Sequence, residues 1–180
     1  DSQTFFTRIA HYCQPPNIAR SGRGHKEKLF DALLGKDDGR RHKILELLKE
    51  NHLLDKSFIN FYDDDGNNNV NTKYRSPDLD HYEDKRLVGV FLENLETGKS
   101  MSHSIPKHMY DHSWYLLVAE TNAGTSFITE KTTKCLLAGR IFVLFGDQGI
   151  LAKLKEYGYK TFDAIIDESY DKESNADLRL

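Results

Sequence analysis

The sequence predicts an α/β fold in which a Rossmann-like parallel sheet is flanked by helices. Two apolar runs, WYLLVAET (114–121) and RIFVLFG (140–146), have the length and composition of buried strands. A helical pattern follows each of them: TEKTTKCLLAG (129–139), and then GILAKLKEYGY (149–159), with glycine near each helix end. Strand, helix, strand, helix at this spacing is a βαβα unit, from which parallel sheets with two covered faces are built.

The first third of the chain is predicted to hold two helices and one strand. GHKEKLFDALLG (24–35) has its apolar residues at helical spacing, and its last glycine is placed to stop a helix; these residues are Leu29, Phe30, Leu33, Leu34 and Gly35. RRHKILELLKENHLLD (40–55) repeats the apolar stripe of an amphipathic helix. SFINFY (57–62) alternates like a short strand.

The middle of the chain is predicted to be less regular. Residues 63–83 are polar and turn-rich, and we expect a mobile loop or the edge of an insertion there. RLVGVFLENLE (86–96) has the valine and phenylalanine content of a strand but ends like a helix, and of the two we favour a strand. IPKHMYDHS (105–113) is predicted to form a short helix after its proline.

We divide the chain into three segments. Residues 1–35 are expected to be a helical or linker segment, residues 36–172 a Rossmann-like domain, and residues 173–180 a charged tail that frays. The chain starts with Asp1 and shows no signal-peptide pattern, so we expect a piece of something longer.

Composition excludes several function classes. No apolar stretch approaches the ~18 residues of a membrane span. The net charge of −3 argues against nucleic-acid binding by bulk electrostatics, while a local basic site for a small anion remains open. The two cysteines, Cys13 and Cys135, imply no disulfide framework and indicate a reducing compartment, so we expect a cytoplasmic protein.

The loop TNAGTSFITEK (121–131) is the predicted binding edge, because ligands of open parallel sheets sit beyond the carboxyl ends of the strands. Thr129 can cap the following helix, whose N-terminus attracts anions. Lys131 would add a cation for phosphate, and Glu130 could hold two vicinal hydroxyls of a ribose. Together they suggest a nucleotide sugar. An ordinary helix start with an acidic first turn explains the same residues equally well.

The residues around this loop also resemble a known family. WYLLVAETNAGTSFITEKTTKCLLAGRIFVLFGD (114–147) is similar to the donor-binding segment of α-1,3-fucosyltransferase-type glycosyltransferases: an apolar strand, a Glu-Asn motif, an aromatic, Thr-Glu-Lys, a helix and a second strand. RHKILELLKENHLLD (41–55) resembles the arginine-led helix of that family. ILAKLKEYGYKTFDAIIDESYD (150–171) is similar instead to uncharacterised glycosyltransferase-like proteins of phages and bacteria, which for a viral chain implies the host cytoplasm.

The resemblance implies roles for seven residues. Glu130 would bind the ribose, and Lys131 and Arg41 would bind the diphosphate. Arg40 is held in reserve for the role of Arg41, in case the alignment with the family's motif shifts by one residue. The remaining four would shape the donor pocket: Phe127, Thr129, Glu120 and Asn122. Phe127 stands where the family usually has a tyrosine, which leaves the identity of the nucleotide's base undecided. Thr121 separates Glu120 from Asn122, which are adjacent in the family's Glu-Asn motif.

The resemblance further implies a donor half of a GT-B-type enzyme, in which a second Rossmann-like domain would carry the acceptor and the general base. No catalytic base is assigned in this chain. We expect a donor that is a nucleotide-diphosphate sugar, guanosine-linked by family analogy, with an unknown acceptor and with no metal or other cofactor. The alternative is a binding or assembly module that keeps the fold without the chemistry.

Two motifs in the sequence could instead bind a metal ion, which would indicate a different kind of site. Asp63 and Asp65 form an Asp-x-Asp after a predicted strand, as in metal-dependent transferases, but the following GNNNVN is typical of a solvated turn. His108 and His112 are four residues apart, with His103 or Asp111 as a further ligand, although surface histidines explain the pattern better.

Overall fold

The structure, a computed structural model, describes residues 25–64, 70–75, 107–120 and 128–179. Its strands are β1 Lys28–Lys36, β2 Ser57–Asp64, β3 Val70–Arg75, β4 Ser113–Ala119 and β5 Phe142–Phe145. Its α-helices are α1 Arg40–Glu50, α2 Lys107–His112, α3 Glu130–Leu137 and α4 Ile150–Glu156. Short 3₁₀ helices cover Leu54–Lys56 and Ser169–Lys172.

The strands form one sheet in the order β3-β2-β1-β4-β5. β1, β2, β4 and β5 are mutually parallel, and β3 is added antiparallel at the edge next to β2. The chain first runs outward from β1 through α1 to β2, and later outward from β4 through α3 to β5. The order therefore reverses between β1 and β4, which confirms the predicted α/β, Rossmann-like fold and creates a switch point at their carboxyl ends.

Helices cover both faces of the sheet, and each face has its own apolar core. On one face, α1 packs on alternate residues of the strands; this core contains Ala32, Leu34, Ile44, Leu45, Leu48, Ile59, Phe61 and Ala119. On the other face, α2, α3 and α4 share a second core, which includes Tyr110, Leu116, Val118, Cys135, Phe142, Leu144 and Leu154. Two covered faces explain why β4 and β5 are nearly continuous apolar runs.

The helix predicted over residues 24–35 is wrong, because residues 28–36 form β1 at the centre of the sheet. The spacing of Leu29, Phe30, Leu33 and Leu34 fits a helix, but a strand buried on both faces produces the same run. Gly35, with φ of 70°, lies beside a register shift in β1 rather than at a helix end. The boundary placed after residue 35 consequently falls inside a strand.

Two other expectations need correction. Residues 70–75, expected to belong to a mobile loop or to the edge of an insertion, form the edge strand β3. The tail does not fray in the described residues: Leu178 N and Arg179 N donate to Asn175 O at 3.2 Å, and the Asp177 carboxylate pairs with Lys43 of α1. The structure confirms the other predicted helices and strands, which are α1 to α4, β2, β4 and β5. The strand predicted over residues 86–96 lies outside the described residues.

A buried polar cluster lies towards the amino ends of the strands. Asp31 of β1 is 2% exposed and Arg140 is 7% exposed, and Arg140 donates to the backbone carbonyls of Ser113 and Trp114. Burial raises the pKa of Asp31 to about 8, only partly offset by the charges of Arg140 and Lys134. Because this edge lies opposite the switch point, we assign the cluster to stability rather than to ligand binding.

The N-terminus of α4 is capped from a distance. Its N-cap, Gly149, has φ of 79° and no side chain to offer. The buried Asp171 supplies the acceptors instead: its carboxylate accepts from Leu151 N at 3.0 Å and Ala152 N at 3.2 Å, while its backbone carbonyl accepts from Gly149 N at 2.8 Å. Asp171 thus fixes the C-terminal segment to the helix that follows β5.

Asp31 is expected to make the fold less stable as pH rises. A raised folded pKa means that the folded chain keeps a proton that the unfolded chain releases, so this contribution is complete below the ordinary pKa of 3.8 and is lost towards about pH 8. Urea unfolding at about pH 5 and about pH 8 should show a lower free energy of unfolding at the higher pH. Asp31→Asn should flatten that dependence, and an unchanged slope in this variant would contradict the assignment.

Asp171→Ala should destabilise the chain by about 1–3 kcal/mol, because it leaves two helix N–H groups without acceptors. Asp163→Ala is the matched control. Asp163 pairs with Lys155 on the surface at 2.9 Å, and its loss should cost less than about 1 kcal/mol. Chemical denaturation of both variants measures the difference, and equal losses would show that the distal cap is not what stabilises α4.

Candidate functional site

The switch point between β1 and β4 brings three chain segments together. The loop after β1 leads into α1, the end of β4 leads towards α3, and the end of β5 leads into α4. In open α/β sheets a ligand occupies the crevice outside such strand ends. We therefore take this edge as the candidate site and call it the carboxyl edge.

Glu120 connects the three segments. Its backbone N–H donates to Phe145 O of β5 at 2.9 Å, and its backbone carbonyl accepts from Arg40 Nη1 of α1 at 3.0 Å. Its side chain, 1% exposed, accepts from Thr129 N at 2.9 Å, from Thr132 Oγ1 at 2.5 Å and from the Thr129 hydroxyl. These three donors and the positive end of α3 compensate the buried carboxylate.

Thr129 starts α3 as predicted. Its backbone is extended, and its hydroxyl accepts from Lys131 N at 3.3 Å, as an N-cap hydroxyl should. The same hydroxyl donates to the Glu120 carboxylate. The start of α3 is therefore held against the end of β4, and this contact fixes the backbone from which Glu130 and Lys131 extend.

Glu130 and Lys131 lie side by side at this helix start and pair with each other. Lys131 Nζ lies 2.9 Å from Glu130 Oε1, and the side chains remain 27% exposed for lysine and 19% exposed for glutamate. Burial pulls the pKa of Glu130 upward, but the hydrogen bond and charge of Lys131 outweigh it, and the pKa falls below its usual value. A ligand that uses both side chains has to open or bridge this ion pair.

Arg40 rather than Arg41 presents its guanidinium at the carboxyl edge. Arg40 binds Glu120 O, and its Nη2 lies 3.7 Å from Asp147 Oδ1 just after β5. Arg41 is 5% exposed, and its Nη1 donates to Lys36 O at 2.7 Å while its Nε lies 3.3 Å from Asp38 Oδ2. Arg41 thus closes the turn between β1 and α1, whereas Arg40, the residue that the resemblance held in reserve, lies at the carboxyl edge.

The start of α1 is already occupied by carboxylates of its own loop. Asp38 Oδ1 accepts from Arg41 N at 3.0 Å, and Asp37 Oδ1 accepts from Gly39 N at 3.0 Å. Asp37 also lies 3.4 Å from His42 Nδ1. The N–H groups of Gly39 and Arg41 are therefore already occupied, and the described cations at the switch point include Arg40 and Lys131.

The structure places five of the seven predicted site residues and brings four of them together. Glu120, Thr129, Glu130 and Lys131 are linked through shared hydrogen bonds, whereas Arg41 is buried in a neighbouring turn. Asn122 and Phe127 lie outside the described residues. Sequence reasoning missed Asp147, although it follows an apolar strand directly, which is the position where binding residues of parallel sheets occur.

The metal motifs gain no support. The described residues contain no group of three or more His, Cys, Asp or Glu side chains that could hold a metal ion. His112 Nδ1 lies 2.6 Å from Glu27 Oε1 instead, while Asp65, His103 and the side chains of Asp63 and His108 are not among those described. Cys135 is buried, and burial raises its thiol pKa to about 12, which fits packing rather than nucleophilic chemistry.

Comparison with known proteins returned no match to a family model, to a curated protein or to a solved structure. Within the described ranges, no helix has the length and apolar character needed to cross a membrane.

Glu120 and Glu130 should behave differently on substitution. Glu120→Ala leaves three buried donors without an acceptor and should cost about 3 kcal/mol or more of stability. Glu130→Ala removes only a partly exposed pair with Lys131 and should cost less than about 1 kcal/mol. Urea unfolding of both variants checks this, and a large loss in Glu130→Ala would place that residue in the framework rather than at the site.

Proposed function

We propose that the chain is a nucleotide-sugar-binding domain that serves in glycosyl transfer, the donor half of a GT-B-type enzyme. The observation that carries the proposal is the position of the Thr129-Glu130-Lys131 helix start, fixed by Glu120 at the switch point of a parallel sheet. Arg40 reaches the same residue from the opposite side of the switch point. The resemblance to α-1,3-fucosyltransferase-type enzymes in the same segment agrees with this placement.

Each part of a nucleotide diphosphate has a chemically suited partner at the carboxyl edge. The depressed pKa of Glu130 keeps its carboxylate ionised at neutral pH, as an acceptor for two ribose hydroxyls must be. Lys131 is a flexible cation, and Arg40 has a planar guanidinium that can bind phosphate oxygens in pairs. The diphosphate would then lie between Lys131 and Arg40, above the start of α3.

Such an arrangement suits a leaving diphosphate. As the bond between sugar and phosphate breaks, negative charge grows on the β-phosphate, and cations held in place by the fold stabilise it without rearranging. Lys131 and Arg40 would do this here, aided by the helix N-terminus. The proton of the acceptor hydroxyl has to go to a base, and no residue of the described ranges is assigned that role.

A non-catalytic binding module is the second candidate. The unassigned base favours it, since no residue of the described ranges is given the proton-accepting role that glycosyl transfer needs. Both candidates share the nucleotide site and differ only in turnover. A donor-hydrolysis assay follows the titration. Release of free sugar would exclude a non-catalytic module, whereas binding without release points to a module or to an enzyme that needs its second domain.

Calorimetric titration with GDP, UDP and their sugars tests the site. We expect measurable binding to the wild-type chain, with Lys131→Ala, Arg40→Ala and Glu130→Ala each weakening it about tenfold, equivalent to about 1.4 kcal/mol. Lys49→Ala is the matched control, because it removes the same charge from the last turn of α1, at the opposite end of the helix. Its affinity should equal that of the wild type.

Two results would count against the proposal. Equal binding by the wild type and all three site variants would place the nucleotide elsewhere. Turnover that stops with a chelator and survives Lys131→Ala would instead favour the metal-dependent transferase based on Asp63 and Asp65.

A further inference from the structure

A small hollow opens beside the carboxyl edge, next to the end of β5. The residues that line it include Arg40, Gly146, Asp147, Tyr170, Asp171 and Arg179. Its inner part has a volume of about 10 Å³ and widens into an open mouth. That inner space has room for one oxygen atom of a ligand, while the rest of the group would lie in the mouth.

Arg179 is the unusual member of this hollow. Its Nε and Nη1 are buried, yet neither has a hydrogen-bond partner. A guanidinium carries its charge at all pH values of interest, and buried N–H donors without acceptors are costly. An acceptor supplied from outside the described residues would remove that cost.

The two carboxylates in the hollow are both engaged by other groups. Asp171 accepts from the backbone N–H groups of Leu151 and Ala152 at the start of α4. Asp147 lies 3.7 Å from Arg40. Neither carboxylate hydrogen-bonds the two buried nitrogens of Arg179, so these N–H donors remain for an acceptor that a ligand supplies.

The position of Arg179 is fixed by the fold. The turn over residues 175–179 is closed by Asp177 N donating to Asn175 Oδ1 at 2.9 Å, and it is attached to α1 through the pair of Lys43 and Asp177. Arg40 begins the same helix, and both arginines line the hollow. One arginine thus comes from the helix after β1 and the other from the far end of the described chain.

We propose that Arg179 and Arg40 form an oxyanion subsite that takes a phosphate group of the ligand. The inference rests on the proposed function for the identity of that ligand as a nucleotide diphosphate. Arg40 borders both the switch point and the hollow, so a diphosphate that reaches Arg40 from the ribose side can place a phosphate oxygen against Arg179. The subsite would add a bidentate contact that Lys131 cannot provide.

Titration with inorganic phosphate, pyrophosphate and GDP at constant ionic strength tests this subsite. The nitrogen-15 Nε resonance of Arg179, identified by its absence in Arg179→Lys, should shift on addition of each anion. Arg179→Ala should weaken GDP binding about tenfold and Arg179→Lys by less, because lysine keeps the charge without the planar fork. Lys160→Ala, a charge-matched change at an exposed residue, should bind like the wild type.

The possible failures are distinct. If GDP binds the wild type and Arg179→Ala equally, and phosphate leaves the Arg179 resonance unchanged, the subsite is wrong and the proposed function stands. If phosphate and pyrophosphate bind through Arg179 but GDP does not bind at all, the proposed function is wrong and the subsite serves a phosphate group of another compound. Thermal unfolding of each variant confirms that loss of binding is not loss of folding.

Discussion

The buried carboxylate of Glu120 is the interaction on which the carboxyl edge depends. A charged group that is 1% exposed persists only when hydrogen bonds replace its water, and here the start of α3 supplies three of them. The backbone of the same residue binds β5 and Arg40 of α1. One residue therefore sets the relative positions of the two helix starts and two strand ends that surround the switch point, and a ligand bound there would depend on that geometry.

Much of the fold follows from the apolar pattern, and its one large error has a clear cause. The α1, α3 and α4 helices have one polar side, so their periodicity identifies them. β1 is covered on both sides, so its periodicity is lost and its run of leucines and phenylalanine resembles a helix. β3 was missed because an edge strand needs little apolar content, and a polar segment can pair through its backbone alone.

The candidate site could be predicted only in part from the sequence. The position of Thr129, Glu130 and Lys131 at a helix start on the binding edge follows from local patterns. The buried position of Arg41 could also have been predicted, because Arg41 lies three and four residues before Ile44 and Leu45, on the buried stripe of α1. Arg179 could not have been found, since it reaches the edge through contacts between residues far apart in the chain.

Nucleotide binding at the carboxyl edge is tested most directly by a map of backbone amide shifts during titration of the isotope-labelled chain with GDP. We predict that the largest changes fall at the end of β4, at the Thr129-Glu130-Lys131 helix start, at Arg40 and at Asp147. Changes confined to the opposite edge, around Asp31, Ser113 and Arg140, would contradict it, as would a spectrum that GDP leaves unaltered at saturating concentration.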